Sequence, residues 1–147
     1  MNQIKHGEVW IADLNPRQGT EPGKVRPVLV IQSQILLDVA HPSTLVIPLT
    51  TKLINDAEPL RLRITAQDKL KQDSDLLIDQ IRAIDNNRLI QGPLLKCDKT
   101  FMGKVYMAIT EVMNLPNSYI YPSNSFQIHE DPALYETYGI DDIPESL

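Results

Sequence analysis

The sequence predicts a mainly β fold, a small barrel of short strands followed by one terminal amphipathic helix. Short apolar segments alternate with loops, and 6 glycines and 11 prolines are many chain-bending residues for a chain of 147. Near residue 101 the apolar period changes from that of strands to that of a helix. Several short strands followed by a single helix are typical of a small barrel with a helix attached.

Segments with the pattern of β-strands lie at 7–14, 26–32, 44–49, 60–64 and 75–84, with a short one near 92–96. In the first strand, Val9 and Ile11 point to one face, whereas Trp10, Ala12 and Leu14 point to the other. Apolar residues on both faces indicate a strand inside a barrel, because a half-exposed hairpin would carry polar residues on one face.

The following segments complete the predicted order. Arg26 precedes Pro27, which holds it extended at the start of the second strand. Residues 33–39 have the pattern of a short helix. The segment 60–64 alternates strictly, so we expect Arg61 and Arg63 to lie on its solvated face.

A terminal helix is predicted after these strands. Asp98 is the candidate N-cap, and Pro116 should stop the helix. The apolar residues that recur at helical spacing are Phe101, Val105, Ala108, Ile109 and Val112.

The charge divides the chain into a body, residues 1–116, and an extension, residues 117–147. All 14 Lys and Arg and 13 of the 19 acids lie in the body, so it carries +1, while the extension carries −6. The extension also contains five of the seven Tyr and Phe, which is too aromatic for a simple disordered tail. Local basic patches of the body, and not the net charge of −5, would therefore have to bind phosphate.

Several function classes find no support in the sequence. The loop from Gly19 to Lys24 has the wrong glycine spacing for a nucleotide-phosphate loop, and Val25 stands where Ser or Thr must hold magnesium. The three histidines share no ligand spacing with Cys97, so no metal or cofactor is expected. A polar N-terminus, a single cysteine and the lack of a long apolar segment favour a reducing cytoplasm and no membrane contact.

What remains is a set of polar residues near the predicted strand ends. Each of them alone is more often a solvated or capping residue than a catalyst. The set consists of Arg17, Glu21, Lys24 and Arg26 around the first loop, Thr50 and Lys52 after the third strand, and Asp79, Gln80 and Arg82 in the fifth. The last three interrupt an apolar run, so they must reach water or find partners.

Four segments, in this order and spacing, resemble the MazF/PemK toxins over residues 1 to about 115: GEVWIADLNP, GTEPGKVRPVLVIQ, VIPLTT and DLLIDQIRAID. The resemblance implies an SH3-like barrel and a homodimer that cleaves single-stranded RNA at a short recognition sequence without metal. It also implies a cognate acidic antitoxin.

The same resemblance implies that Arg26 and Thr50 form the catalytic pair, with the loop residue Glu21 also in the site. Some members use an Arg-x-Asp in the fifth strand, but here Leu77 stands where that arginine would lie and only Asp79 is kept. Candidate RNA contacts are Arg17, Lys24, Lys52, Asp79, Gln80 and Arg82, with Arg61 and Arg63 as further phosphate contacts.

Two other functions stay open from the sequence. The barrel could be a non-enzymatic poison of the CcdB type, which binds DNA gyrase, or an inactive binding module or co-repressor. The extension could cover the RNA groove, as antitoxin arms do, or pack elsewhere, or be partly disordered.

Overall fold

The structure, a computed structural model, describes residues 3–16, 18–20 and 23–116. Its helices and strands are, in chain order, β1 (Glu8–Asp13), β2 (Val25–Val30), α1 (Gln34–Asp38), β3 (Ser43–Thr50), β4 (Arg61–Ile64), β5 (Ser74–Leu77), β6 (Arg82–Asp85), β7 (Leu89–Lys96) and α2 (Lys99–Met113), with 3-10 turns at Ile78–Gln80 and Asn86–Arg88. The predicted mainly β fold with a terminal helix is confirmed.

Within the described residues, seven strands form one antiparallel sheet in the order β4-β5-β3-β2-β1-β7, and β6 pairs with β3 beside this path. The two ends of this order approach each other. The Lys69 N–H, between β4 and β5, donates to the carbonyl of Leu94 in β7 at 2.9 Å. The sheet is therefore bent toward closure, as the predicted barrel requires.

Strand β1 lies between two apolar clusters, as its two-sided pattern predicts. Val9 belongs to a cluster with Leu29 and Ile47 that α2 covers through Val105. On the opposite face Trp10 is buried in a second cluster. A strand buried on both faces must be apolar on both, and this is why the sequence of β1 does not alternate.

The predicted strand 75–84 is wrong as a single element, because a 3-10 turn divides it into β5 and β6. Thr50 of β3 lies opposite Asp75, while Val46 lies opposite Arg82. The two pairs are four residues apart in β3 but seven residues apart in the segment 75–84. The three additional residues equal the length of the turn Ile78–Gln80. The turn lies where β3 contains Pro48, whose nitrogen has no hydrogen to donate to a partner strand.

Helix α2 begins as predicted. The Phe101 N–H donates to Oδ1 of Asp98 at 2.7 Å, so Asp98 is the cap. The helix ends at Met113, three residues before Pro116, and Asn114 adopts a left-handed conformation with φ of 57°. The extension 117–147 lies outside the described residues. Across the described part of the chain, no helix is long and apolar enough to cross a membrane.

Candidate active site

A cleft of about 520 Å³ lies where the loop after β1 meets the start of β2 and the end of β3. The polar side chains that line it are those of Asn15, Thr20, Lys24, Arg26, Thr50, Thr51, Lys52 and Ser74. Its lining, taken from the described residues, includes three cationic side chains and no carboxylate. The cleft is therefore suited to an anion.

Arg26 is the second residue of β2, where it lies half-buried opposite Ala12 of β1. Its Nε–H donates to the carbonyl of Gly23 at 2.8 Å, and its Nη1 donates to the carbonyl of Leu49 at 3.3 Å. Two backbone carbonyls from different parts of the chain thus orient the guanidinium. Such a planar, oriented donor matches the oxygens of a phosphate.

Thr50 is the last residue of β3, next to the Leu49 carbonyl that Arg26 contacts. Its hydroxyl oxygen accepts the N–H of Lys52 at 3.2 Å. A hydroxyl that accepts one hydrogen bond keeps its own hydrogen for donation. The backbone thus places a guanidinium and a hydroxyl side by side on the cleft wall.

Two exposed lysines complete the cationic lining. Lys24 has a left-handed backbone with φ of 68°, stabilised by a hydrogen bond of 2.7 Å from its N–H to Oδ1 of Asn15. This conformation is uncommon outside glycine, and it turns the chain from the loop into β2. Lys52 follows β3 and lies near Thr50 through the backbone contact described above.

Three of the other predicted RNA contacts, which the structure describes, do not line this cleft. Asp79 is exposed on the turn Ile78–Gln80, Gln80 lies in the same turn, and Arg82 begins β6 opposite Val46. A role for these three residues in RNA binding stays a prediction. Arg17 and Glu21 lie outside the described residues.

Arg61 and Arg63 lie on the more exposed face of β4, while Leu62 and Ile64 are buried, as the alternation predicts. That face is not plainly solvated, because both arginines pair with a buried carboxylate. Arg61 Nη1 lies 3.2 Å from Asp75 Oδ2, and Arg63 Nε lies 2.6 Å from Asp75 Oδ1. The Asp75 side chain is only 1% exposed. Sequence reasoning missed Asp75 as a partner, although it is the one carboxylate directly opposite Arg63 in the β4–β5 register. The register, which the sequence does not state, was the missing information.

Fold and cleft together define a small β-barrel protein with oriented hydrogen-bond donors, suited to an anion, at the ends of two adjacent strands. Comparison with known proteins makes the class specific. Residues 5–113 match the family described as PemK-like, MazF-like toxin of type II toxin–antitoxin system. The chain belongs to this family.

Curated relatives agree with this assignment. The chain is 39% identical over 98 residues to Endoribonuclease MazF of Staphylococcus saprophyticus. The aligned region makes up 65% of this chain and 80% of that protein. It is 37% identical over 107 residues to Endoribonuclease EndoA of Bacillus subtilis, and the aligned region makes up 72% of this chain and 90% of that protein.

Solved structures agree on the fold. MazF of Deinococcus radiodurans has a TM-score of 0.66 at 17% identity, covering 78% of this chain and all of that one. An endoribonuclease from a mycobacterial species, in complex with its cognate antitoxin, has a TM-score of 0.59 at 20% identity. The match covers 79% of this chain and 98% of that chain. The sequence-based identification as a type II toxin and an endoribonuclease is confirmed.

Proposed function

We propose that this chain cleaves single-stranded RNA in the cleft between Arg26 and Thr50, without a metal, by attack of the substrate's own 2′-hydroxyl. The observation that carries the proposal is the hydrogen bond from Arg26 to the carbonyl of Leu49, the residue before Thr50. It connects the Arg26 guanidinium to the backbone next to Thr50, and both side chains line the same cleft, which supports contact of both with one phosphodiester.

The reaction forms a bond between the 2′-oxygen and phosphorus and breaks the bond between phosphorus and the 5′-oxygen. A base removes the 2′-hydroxyl proton, a proton is delivered to the departing 5′-oxygen, and a 2′,3′-cyclic phosphate remains. The phosphorane that precedes cleavage carries additional negative charge. Arg26 is suited to stabilise it, and Thr50 can donate to one of its oxygens.

Arg26 acts here as an electrostatic stabiliser and not as the base, because a guanidinium stays protonated near neutral pH and does not accept a proton. Glu21 stays the candidate base, on the strength of the family resemblance alone. An ordinary glutamate with a pKa of about 4.3 is a weak base, so this role requires a raised pKa.

The decisive test compares Arg26→Ala with Lys104→Ala, which removes an exposed cation on α2 away from the cleft. Both proteins are incubated with single-stranded RNA in the presence of EDTA, and the product ends are analysed. We expect Arg26→Ala to lose on the order of 10²–10³ in rate, the usual effect of removing one transition-state donor. Lys104→Ala should cleave at the wild-type rate and leave cyclic-phosphate ends.

A folded Arg26→Ala protein that cleaves as fast as the wild type would contradict the assignment. Loss of wild-type cleavage in EDTA would contradict the metal-free chemistry. A protein that inhibits growth through DNA gyrase and leaves RNA intact would instead be a non-enzymatic poison.

The partners of this chain follow from the same proposal. They are a cognate acidic antitoxin and a second copy of the chain, acting in the cytoplasm. Antitoxin complexes in solved structures of the mycobacterial endoribonuclease and of Deinococcus MazE–MazF support the first partner. Copurification with the product of an adjacent short reading frame tests it, and light scattering tests the dimer.

The extension 117–147 is proposed to be a separate segment with its own role, because it carries −6 while the body carries +1. Its charge is opposite to that of Lys24, Arg26 and Lys52 in the cleft. Comparing the cleavage rates of the full chain and of residues 1–116 tests an inhibitory role. Faster cleavage by the shorter chain supports inhibition, and an unchanged rate excludes it.

A further inference from the structure

A buried carboxylate lies on β5, the strand that pairs with the end of β3 at the proposed site. Asp75 is opposite Thr50 in the β3–β5 pairing, and its side chain is 1% exposed. Its Oδ2 accepts the Ile54 N–H at 2.9 Å and Arg61 Nη1 at 3.2 Å, while its Oδ1 accepts Arg63 Nε at 2.6 Å. Three donors therefore converge on this one group.

The same donors tie down the segment that follows Thr50. Arg61 Nη1 also donates to the Lys52 carbonyl at 2.8 Å, and Arg63 Nη2 donates to Asn55 Oδ1 at 3.0 Å. Together with the bond to Ile54, the Asp75 cluster holds residues 52, 54 and 55. Residues 51–55 belong to neither β3 nor β4, so the described strand pairing does not set their conformation.

This segment touches the proposed site through Lys52. The Lys52 N–H bonds to the Thr50 hydroxyl, and the Lys52 side chain lines the cleft. A change in the path of the segment would therefore reorient the Thr50 hydroxyl and displace the Lys52 ammonium.

We infer that Asp75 is a positioning residue for RNA cleavage, which acts through residues 52–55 to orient the Thr50 hydroxyl and the Lys52 ammonium toward the scissile phosphate. The inference rests on the proposed function of the cleft. Asp75 acts through this segment and not by contact with the substrate, because its side chain is only 1% exposed and already accepts from three donors.

The charge of Asp75 fits this role better than a role in stability alone. Burial by itself raises the pKa of the carboxyl, but hydrogen bonds from Arg63, the Ile54 N–H and Arg61 outweigh burial and lower it. A buried ionic cluster is a poor device for stability, since apolar residues of the same volume often stabilise a protein as well or better. A cluster with fixed donor directions does define one conformation of an irregular segment.

The main test is Asp75→Asn, which keeps the size of the side chain and removes its charge. The matched control is Asp68→Asn, the same change at an exposed aspartate between β4 and β5 that forms no hydrogen bond or ion pair with the other described residues. Steady-state cleavage is measured for equal amounts of folded protein. We expect kcat to fall by ~10- to 100-fold for Asp75→Asn, since small misplacements of catalytic groups have effects of this size. KM should change little, and Asp68→Asn should match the wild type.

A double-mutant cycle separates positioning from general destabilisation. In a Thr50→Val background, Asp75→Asn should cause a smaller further loss of kcat than in the wild type, because the part of its effect that passes through the hydroxyl is already lost. If Asp75→Asn does not fold, Arg61→Met provides the second variant. It removes the bridge to the Lys52 carbonyl and leaves Asp75 paired with Arg63, and it should lower kcat in the same way.

Wild-type kcat in Asp75→Asn and Arg61→Met would overturn the inference, and so would a loss confined to KM or one that is fully additive with Thr50→Val. The Arg26→Ala protein keeps the two proposals apart. If Arg26→Ala cleaves normally, the proposed site is wrong. If it is inactive while the Asp75 variants have normal kcat, only the positioning role is wrong.

Discussion

Replacing Gly92 with alanine should destabilise this protein, because the indole of Trp10 occupies the space that a Cβ would need. A Cβ built on Gly92 would lie 2.4 Å from Cδ2 of Trp10, 2.7 Å from Cγ and 2.9 Å from Cε3. Trp10 is only 3% exposed and packs in the cluster that contains Val28 and Val46. The indole therefore has little room to move away.

The size of the effect follows from these distances. Carbon atoms pack at about 3.5–4.0 Å, so the ring would have to shift by ~1 Å within a close-packed core. Overpacking of this kind costs ~1–3 kcal/mol. The lower entropy of the unfolded alanine chain offsets ~0.4–1 kcal/mol where the backbone tolerates a side chain. We expect a net loss of about 1–2 kcal/mol, equivalent to a Tm decrease of roughly 5 °C.

Urea unfolding followed by tryptophan fluorescence measures this loss directly, because Trp10 is the only tryptophan in the chain. Gly103→Ala is the matched control. Gly103 lies within α2, and a Cβ there would meet no atom within 4 Å. It should raise the free energy of unfolding by up to ~1 kcal/mol through helix propensity. A Gly92→Ala protein as stable as the wild type would refute the packing argument.

The remaining predictions concern the cleft and the single cysteine. Thr50→Val should lower kcat by ~100-fold. Thr50→Ser keeps the hydroxyl, so its kcat should stay within a few-fold of the wild type. Equal kcat values for the two variants would contradict the hydrogen-bonding role of Thr50. Lys24→Ala should weaken RNA binding and reduce the slope of log Kd against log salt by ~0.7, the contribution of one contact to single-stranded nucleic acid, and an unchanged slope would exclude that contact. Burial, together with the charge of Asp98, raises the pKa of Cys97 to about 11 from its ordinary 9.0. At pH 8 iodoacetamide should therefore modify folded protein ~100-fold more slowly than urea-unfolded protein, and equal rates measured by mass spectrometry would contradict the raised pKa.

Much of the fold was predictable from local patterns. The two-sided apolar pattern of β1 predicted burial on both faces, and Val9 and Trp10 indeed lie in different clusters. The helical spacing after Asp98 predicted α2, and the Asp98 cap begins it. Such features depend on residues close together in the chain, where the period of apolar side chains and the chemistry of the cap determine the local structure.

The candidate site was predictable only in part. Family resemblance pointed to Arg26 and Thr50, and both line one cleft. It did not indicate Asp75, since an aspartate at the start of an apolar run is equally consistent with a solvated residue. The alternation of β4 correctly placed Arg61 and Arg63 on its more exposed face, but it did not indicate that both arginines pair with Asp75.

The sequence by itself determined which segments become strands and helix, and, through its motifs, the family to which the chain belongs. Only the tertiary structure decided that the segment 75–84 is broken by a 3-10 turn, because that break depends on the register against β3. It also decided that Arg61 and Arg63 pair with Asp75. Strand register is a relation between residues far apart in the chain, and shifting it by one residue moves every side chain to the other face.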